Sequence, residues 1–234
     1  MSSFLDFNTD FIPYGRQHLL VILLTVAMAI GLPLFGKKFL NQTQNLWIGR
    51  CLAMLISGWV VLYVFILFCL GKFNHQTDLP LDICNLIGLL LPILMWKPSQ
   101  KYFPFFYFYI MAGTTQPVFA PHLFNGFPNF VFLKFWILHS GLIVYILFIS
   151  VTLDYKVKLK DIWPVFLGLQ VYALFVFIIN KIIGSNYIYL IEKPPTASVL
   201  DYFGPWPVYI FVADLIFLVL CFLVYLPYLK ASKR

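Results

Sequence analysis

Seven apolar runs separated by short polar breaks dominate the chain, near residues 18–35, 46–70, 79–96, 103–120, 130–151, 163–183 and 208–228. A helix needs about 20 mostly apolar residues to cross a hydrocarbon core of about 30 Å, and the runs have roughly that length. They are continuous rather than alternating, which excludes a lipid-facing barrel. The pattern predicts an all-α polytopic membrane bundle of seven transmembrane helices, one integral membrane domain over residues 1–234. The third and fourth runs are the weakest, being short, interrupted by Pro92, Pro104 and Pro117, and polar towards one end.

Composition turns that pattern into a class. Of 234 residues, 62% are hydrophobic and 11% charged, against about 25% charged in a soluble domain. So few charges cannot solvate a globule of this size, and a disordered chain, a coiled coil and a water-soluble enzyme are all excluded. The net charge of +7 is not a nucleic-acid footprint, because the cations lie between apolar runs and form no stripe. Lys37, Lys38, Arg50, Lys97, Lys101, Lys156, Lys158, Lys160, Lys230, Lys233 and Arg234 fall on one side of the predicted bundle. Arg16, Lys72, Lys134, Lys181 and Lys193 fall on the other. The positive-inside rule then predicts the N-terminus outside and the C-terminus inside. The first sixteen residues carry Asp6 and Asp10 with Arg16 as the last and only cation, which is not the pattern of a secretory signal.

The chemistry is expected at the outer face. Seven of the nine acids, all but Asp154 and Asp161, belong to the outer half or outer loops. The last outer segment, residues 184–207, is longer than a connection needs, and its aromatics predict an ordered stretch at the interface. On a helix beginning near Leu79, Asp78, Asp82 and Asn85 share one stripe, with Cys84 on another. Asp78 and Asp82 also suit the first turn as capping carboxylates. His139, about 13 Å deep in the fifth run, is either hydrogen-bonded to a neighbouring helix or a general base. Asp214 needs a partner or a proton, while Gln170 is expected to pack. Cys51, Cys69, Cys84 and Cys221 show no CxxC spacing and read by default as buried small hydrophobes. His18, His75 and His122 have no metal-ligand spacing, and no metal or cofactor is expected. A Cys84–His139 dyad, a thiol activated by an imidazole, is the constellation singled out.

Two stretches go beyond composition. Asp78-Leu79-Pro80-Leu81-Asp82-Ile83-Cys84-Asn85 resembles the "LPLHLCD" motif of the YwaF-type bacterial integral membrane family. Gly184-Ser185-Asn186-Tyr187-Ile188-Tyr189-Leu190, Glu192-Lys193-Pro194, Leu200-Asp201 and Gly204-Pro205-Trp206-Pro207 are similar to its "GSNYMYL.EKP…LLD..GPWP" block. Gly113-Thr114-Thr115-Gln116, Gly126-Phe127-Pro128 and His139-Ser140 follow in the family's order. The family is related to animal transmembrane protein 164, regarded as a membrane acyltransferase, and to membrane hydrolases that use a Thr and a His. The resemblance implies that Cys84 matches the implicated cysteine and His139 the histidine. Asp82 and Asn85 stand where the family usually has His and Asp. A multi-pass location in a bacterial plasma membrane is implied too.

The expected function is acyl transfer or ester hydrolysis on a phospholipid or lysophospholipid, with Cys84 as nucleophile and His139 as base. Thr114 or Thr115 is the alternative nucleophile. Thr114, Thr115, Gln116, Asn180, Lys181, Asn186 and Lys193 are candidates for oxyanion or substrate binding, and Asp82, Asn85, Glu192, Asp201 and Asp214 for support. The competing expectation is a lipid- or small-molecule-binding transporter without covalent chemistry, built on Asp214.

Overall fold

The computed structural model describes residues 10–195 and 198–231; Asp6, Lys233 and Arg234, used above for orientation, lie outside the described residues. The described residues are mainly helical and include no strand. Its elements are α1 (Arg16–Phe39), α2 (Gln42–Cys69), α3 (Ile83–Trp96), α4 (Phe103–Phe108), a π-helical turn (Tyr109–Thr114), α5 (Thr115–Phe119), α6 (Phe130–Thr152), α7 (Ile162–Ile183) and α8 (Val208–Ala231). Five stretches, Arg16–Phe39, Gln42–Cys69, Phe130–Thr152, Leu159–Ile183 and Val208–Leu229, are long and apolar enough to cross a membrane. The protein is a membrane protein. Large apolar side chains such as Leu23, Phe65, Val171 and Phe211 are exposed on α1, α2, α7 and α8, a surface stable only against lipid.

Two helix starts differ from the apolar pattern, each for a local reason. α2 begins at Gln42, before its run, because Asn41 and Gln44 form a capping box, which satisfies two orphan N–H groups at once. α3 begins only at Ile83. Pro80 has no N–H and biases Leu79 away from helical geometry, and the Leu79 N–H is taken by the Tyr187 hydroxyl at 2.8 Å. The expected helical stripe of Asp78, Asp82 and Asn85 therefore does not form. Asp78 caps a preceding turn, accepting from the Asn74 N–H at 2.8 Å. Asp82 occupies the N-cap position of α3 but makes no capping hydrogen bond to it.

Helix α6 is the axis of the bundle, with thirteen buried residues along its length. It is apolar all round, the signature of a helix enclosed by others. α1, α2, α3 and the π-turn pack around it. Small residues set the approach: a Cβ on Gly88 of α3 would stand 2.9 Å from Leu138 of α6, and one on Gly36 of α1 2.9 Å from Phe148, the close packing that membrane helices use.

The loops sort into two ends. Residues 71–82 and 184–207 are joined by Tyr187, whose hydroxyl donates to the His75 carbonyl at 2.9 Å, and by Gln76, which donates to the Ile183 carbonyl at 3.1 Å. Residues 120–129 meet the N-terminal segment, where the Phe11 N–H donates to Phe124 at 2.8 Å. This is the loop end. At the opposite end, Gln100 and the Lys156 backbone exchange two hydrogen bonds.

Candidate active site

The site is assembled at the loop end of α3, the π-turn and α6. Cys84 is the second residue of α3, so its thiol lies at the helix mouth rather than the roughly one and a half turns deep that a start at Leu79 implies. Its Sγ is 3.4 Å from the Thr114 Oγ1, the last residue of the π-turn and fully buried. π-turns insert a residue into the helix and swing side chains off the 3.6 register, which is why they recur at functional sites. Here the extra residue turns Thr114 onto Cys84. The same irregularity frees carbonyls, and neighbouring side chains bond to them. Thr115 donates to Met111 at 2.5 Å and Gln116 to Ala112 at 3.0 Å. Of the polar trio, Thr114 alone meets Cys84.

His139 is buried, and its Nδ1 is 2.8 Å from the Phe135 carbonyl of its own helix. A carbonyl only accepts, so Nδ1 carries the proton and Nε2 the lone pair. The ring is thus held in the tautomer a general base requires. Among the described residues, its ring makes no hydrogen bond to a neighbouring helix or to Cys84. Ser140 instead accepts from Thr25 of α1 at 2.8 Å.

Helix α6 also carries a cation near this end. Lys134, in the first turns of α6 and half-buried, is within electrostatic range of Asp78, Asp82 and Cys84 and of His139. Its Nζ lies 5.0 Å from the centre of the Tyr63 ring. A lysine near the start of an apolar run reads as a snorkelling cation. Only the start of α3 at Ile83 brings Asp82 and Cys84 to its level. Asp82 accepts from Asn85 Nδ2 at 3.4 Å, while Asn85 Oδ1 is buried without a partner.

The remaining candidates hold structure. Asn180 Oδ1 accepts from Ser185 at 2.7 Å and from the Tyr187 N–H at 2.9 Å, and its Nδ2 donates to the Tyr187 carbonyl at 3.0 Å. Asn186 binds the Ile191 and Glu192 backbone. Asp201 accepts from the Ser198 N–H at 2.7 Å, and Lys193 donates to the Asp201 carbonyl at 3.4 Å. The Glu192 side chain is exposed, and Lys181 lies over Phe177. Asp214 does have a partner, Gln170, at 3.1 Å, so Gln170 bonds rather than merely packs. Residues 13–225 match the TMEM164 family. The chain belongs to that family. Neither a curated protein nor a solved structure matches it.

The match covers nearly every helix, so site and scaffold fall inside the TMEM164 region together. Cys51 and Cys69 are exposed, not buried as the cysteine reading expected; Cys84 is half-buried and Cys221 buried, and all four are free thiols. His18 is spent on structure, accepting from the Tyr14 N–H at 2.9 Å and donating to the Val118 carbonyl at 2.8 Å. Among the described residues, no three His, Cys, Asp or Glu side chains cluster as metal ligands.

Proposed function

We propose that this protein is an integral membrane acyltransferase or ester hydrolase of the YwaF type, acting on an acyl ester of a phospholipid or lysophospholipid. Its seven helical stretches span the membrane with the N-terminus outside and the C-terminus inside, and the loop end faces outward. The observation that carries the reading is the 3.4 Å contact between Cys84 and Thr114 at the mouth of α3, with His139 of α6 held as a lone-pair acceptor.

The chemistry follows from those groups. The Cys84 sulfur attacks the ester carbonyl carbon, its proton passes to His139 Nε2, and the carbonyl electrons move onto oxygen. A hydroxyl donor at Thr114 and the charge of Lys134 favour that oxyanion. Collapse breaks the C–O bond, the leaving alkoxide takes the proton from His139, and an acyl thioester remains. Water or a lysolipid hydroxyl, deprotonated by His139, then attacks the thioester and restores the thiol. Substrate binding must bring the ring and the thiol together, since catalytic hydrogen bonds commonly tighten only in the substrate complex.

The test uses the full chain in vesicles containing a phospholipid with a fluorescent acyl chain. Cys84→Ala is expected to abolish release and transfer of the labelled chain. Wild-type turnover in Cys84→Ala, together with its loss in Thr114→Val, would move the nucleophile to Thr114. Turnover in neither the wild type nor any variant overturns the enzyme reading.

A further inference from the structure

We propose that Arg50, at the end of the bundle opposite the loops, binds the phosphate of an anionic phospholipid in the leaflet at that end. The proposal does not depend on the acyl-transfer reading, whose site lies at the loop end.

The local sequence assembles the cation and its neighbours. Trp47 stands three residues before Arg50 on α2, hence on the same face one turn away. Between them, Gly49 is a point of close approach to α3, where a Cβ would stand 2.9 Å from the Met95 Cε. That approach carries Trp96, the last residue of α3, over the guanidinium. The Arg50 Cζ lies 5.4 Å from the centre of the Trp47 ring and 5.8 Å from that of Trp96, and both indoles are exposed. Side chains on a helix tilt back towards its start, so Arg50 reaches towards the end where α2 begins. There α3 stops and Lys97 is exposed. Exposed tryptophans beside cations mark the headgroup level of a membrane.

Stacking leaves the hydrogen-bonding capacity of the guanidinium unfilled. Ring faces use its charge, whereas its five N–H donors lie in the plane of the fork. Nε is buried and has no hydrogen-bond partner, and no ion pair to Arg50 is found among the described residues. Donors left open beside lipid are costly, so the acceptor comes from outside the chain. Two phosphate oxygens match the fork, taking a pair of N–H groups at once. A headgroup without an amine fits best, because a choline or ethanolamine ammonium would add a like charge at an end that already carries Arg50 and Lys97. Ile93, one turn back from Trp96 on α3, is exposed as well, and with the two indoles it gives the acyl chains an apolar track. A free phosphate ion would gain nothing from that track.

The experiment counts the lipids retained by the full chain in native mass spectrometry. The protein is purified in a non-ionic detergent with equal amounts of phosphatidylglycerol and phosphatidylcholine. Wild type is expected to retain phosphatidylglycerol in preference to phosphatidylcholine. Arg50→Met should weaken that retention about tenfold, the worth of a charge-assisted hydrogen bond. Arg50→Lys keeps the charge but loses the fork, and should fall between the two. Trp96→Leu leaves the cation in place and should weaken retention about threefold through the lost ring. Lys160→Gln, which removes an exposed cation at the same end, should stay within about twofold of wild type. Equal retention of both lipids by wild type overturns the proposal. So does phosphatidylglycerol retention in Arg50→Met equal to that of wild type, or a loss in Lys160→Gln as large as in Arg50→Met. If Arg50→Met does not fold, wild-type retention in both Arg50→Lys and Trp96→Leu overturns it instead. Displacement of the lipid by added inorganic phosphate would assign the site to the free ion and overturn the lipid assignment.

Discussion

The bundle's loop end contains two polar regions that look alike in sequence and differ in how their hydrogen-bonding capacity is used. In residues 184–207 most of it is spent, the buried Ser198 Oγ being an exception. Asn180 fills both amide atoms on the loop, Asn186 does the same, Trp206 donates to the Leu190 carbonyl at 3.1 Å, and Tyr209 to the Tyr189 carbonyl at 2.5 Å. Around Cys84 it is held back. Lys134 has no hydrogen bond, Asn85 Oδ1 has no partner, and the His139 Nε2 lone pair is open. Buried polar groups left unpaired cost about 1–3 kcal/mol each, a cost carried at Asn85 and also away from the site at Asn45, Arg50, Trp136 and Ser198.

The loop also stores strain that its bonds must hold. Ile188 and Tyr189 both have positive φ, 51° and 55°, a conformation costing non-glycine residues roughly 1–2 kcal/mol each and tolerated only where the surroundings over-determine it.

The largest expected effect separates the two regions by function alone. His139→Ala should cut lipid turnover by about 10²–10⁴-fold, the usual contribution of a general base, with little change in thermal unfolding. An equal loss of stability would place His139 in the scaffold class. Next, Asn180→Ala should destabilise the fold by about 2–3 kcal/mol, since it strands the Ser185 hydroxyl and both backbone groups of Tyr187. Thermal unfolding in detergent measures this, and an unchanged midpoint would contradict the saturated-loop description. Gly88→Val should cost about 1–3 kcal/mol by driving α3 off Leu138 and should also slow Cys84 chemistry, whereas a stability loss without a change in Cys84 reactivity would uncouple that packing from the site. Tyr209→Phe, which removes one loop bond, should cost about 1 kcal/mol and leave alkylation of Cys84 unaltered. The smallest effect concerns pH. Burial raises the Tyr187 phenol above its ordinary value of 10.0, so the loop is favoured below that value and loses stability as pH climbs past it. Protease cleavage within 184–207 should therefore rise at alkaline pH in wild type and less so in Tyr187→Phe.

Much of this was legible in the chain. The long apolar stretches and the concentration of acids and histidines towards one face follow from the cost of burying charge in lipid, which acts on every residue alike. Cys84, Thr114 and His139 stood out as polar residues inside apolar runs. Three things could not be read. The start of α3 at Ile83 depends on a hydroxyl supplied by Tyr187, over a hundred positions away. The π-turn is a change of register that no periodicity shows over so few residues, yet it selects Thr114 over Thr115. Arg50 was hidden because a cation near a helix end is cheap in a membrane; its meaning lies in the two indoles that α2 and α3 bring over it.

The bond between His139 and Phe135 carries a mechanical consequence. Because the imidazole is moored to its own helix, it travels with α6 as a rigid passenger. The gap between ring and thiol is then governed by the crossing of α3 and α6, about the Gly88–Leu138 contact, rather than by a side-chain flip. Whatever rocks those two helices, a thicker bilayer or an acyl chain wedged between them, sets the reach of the base.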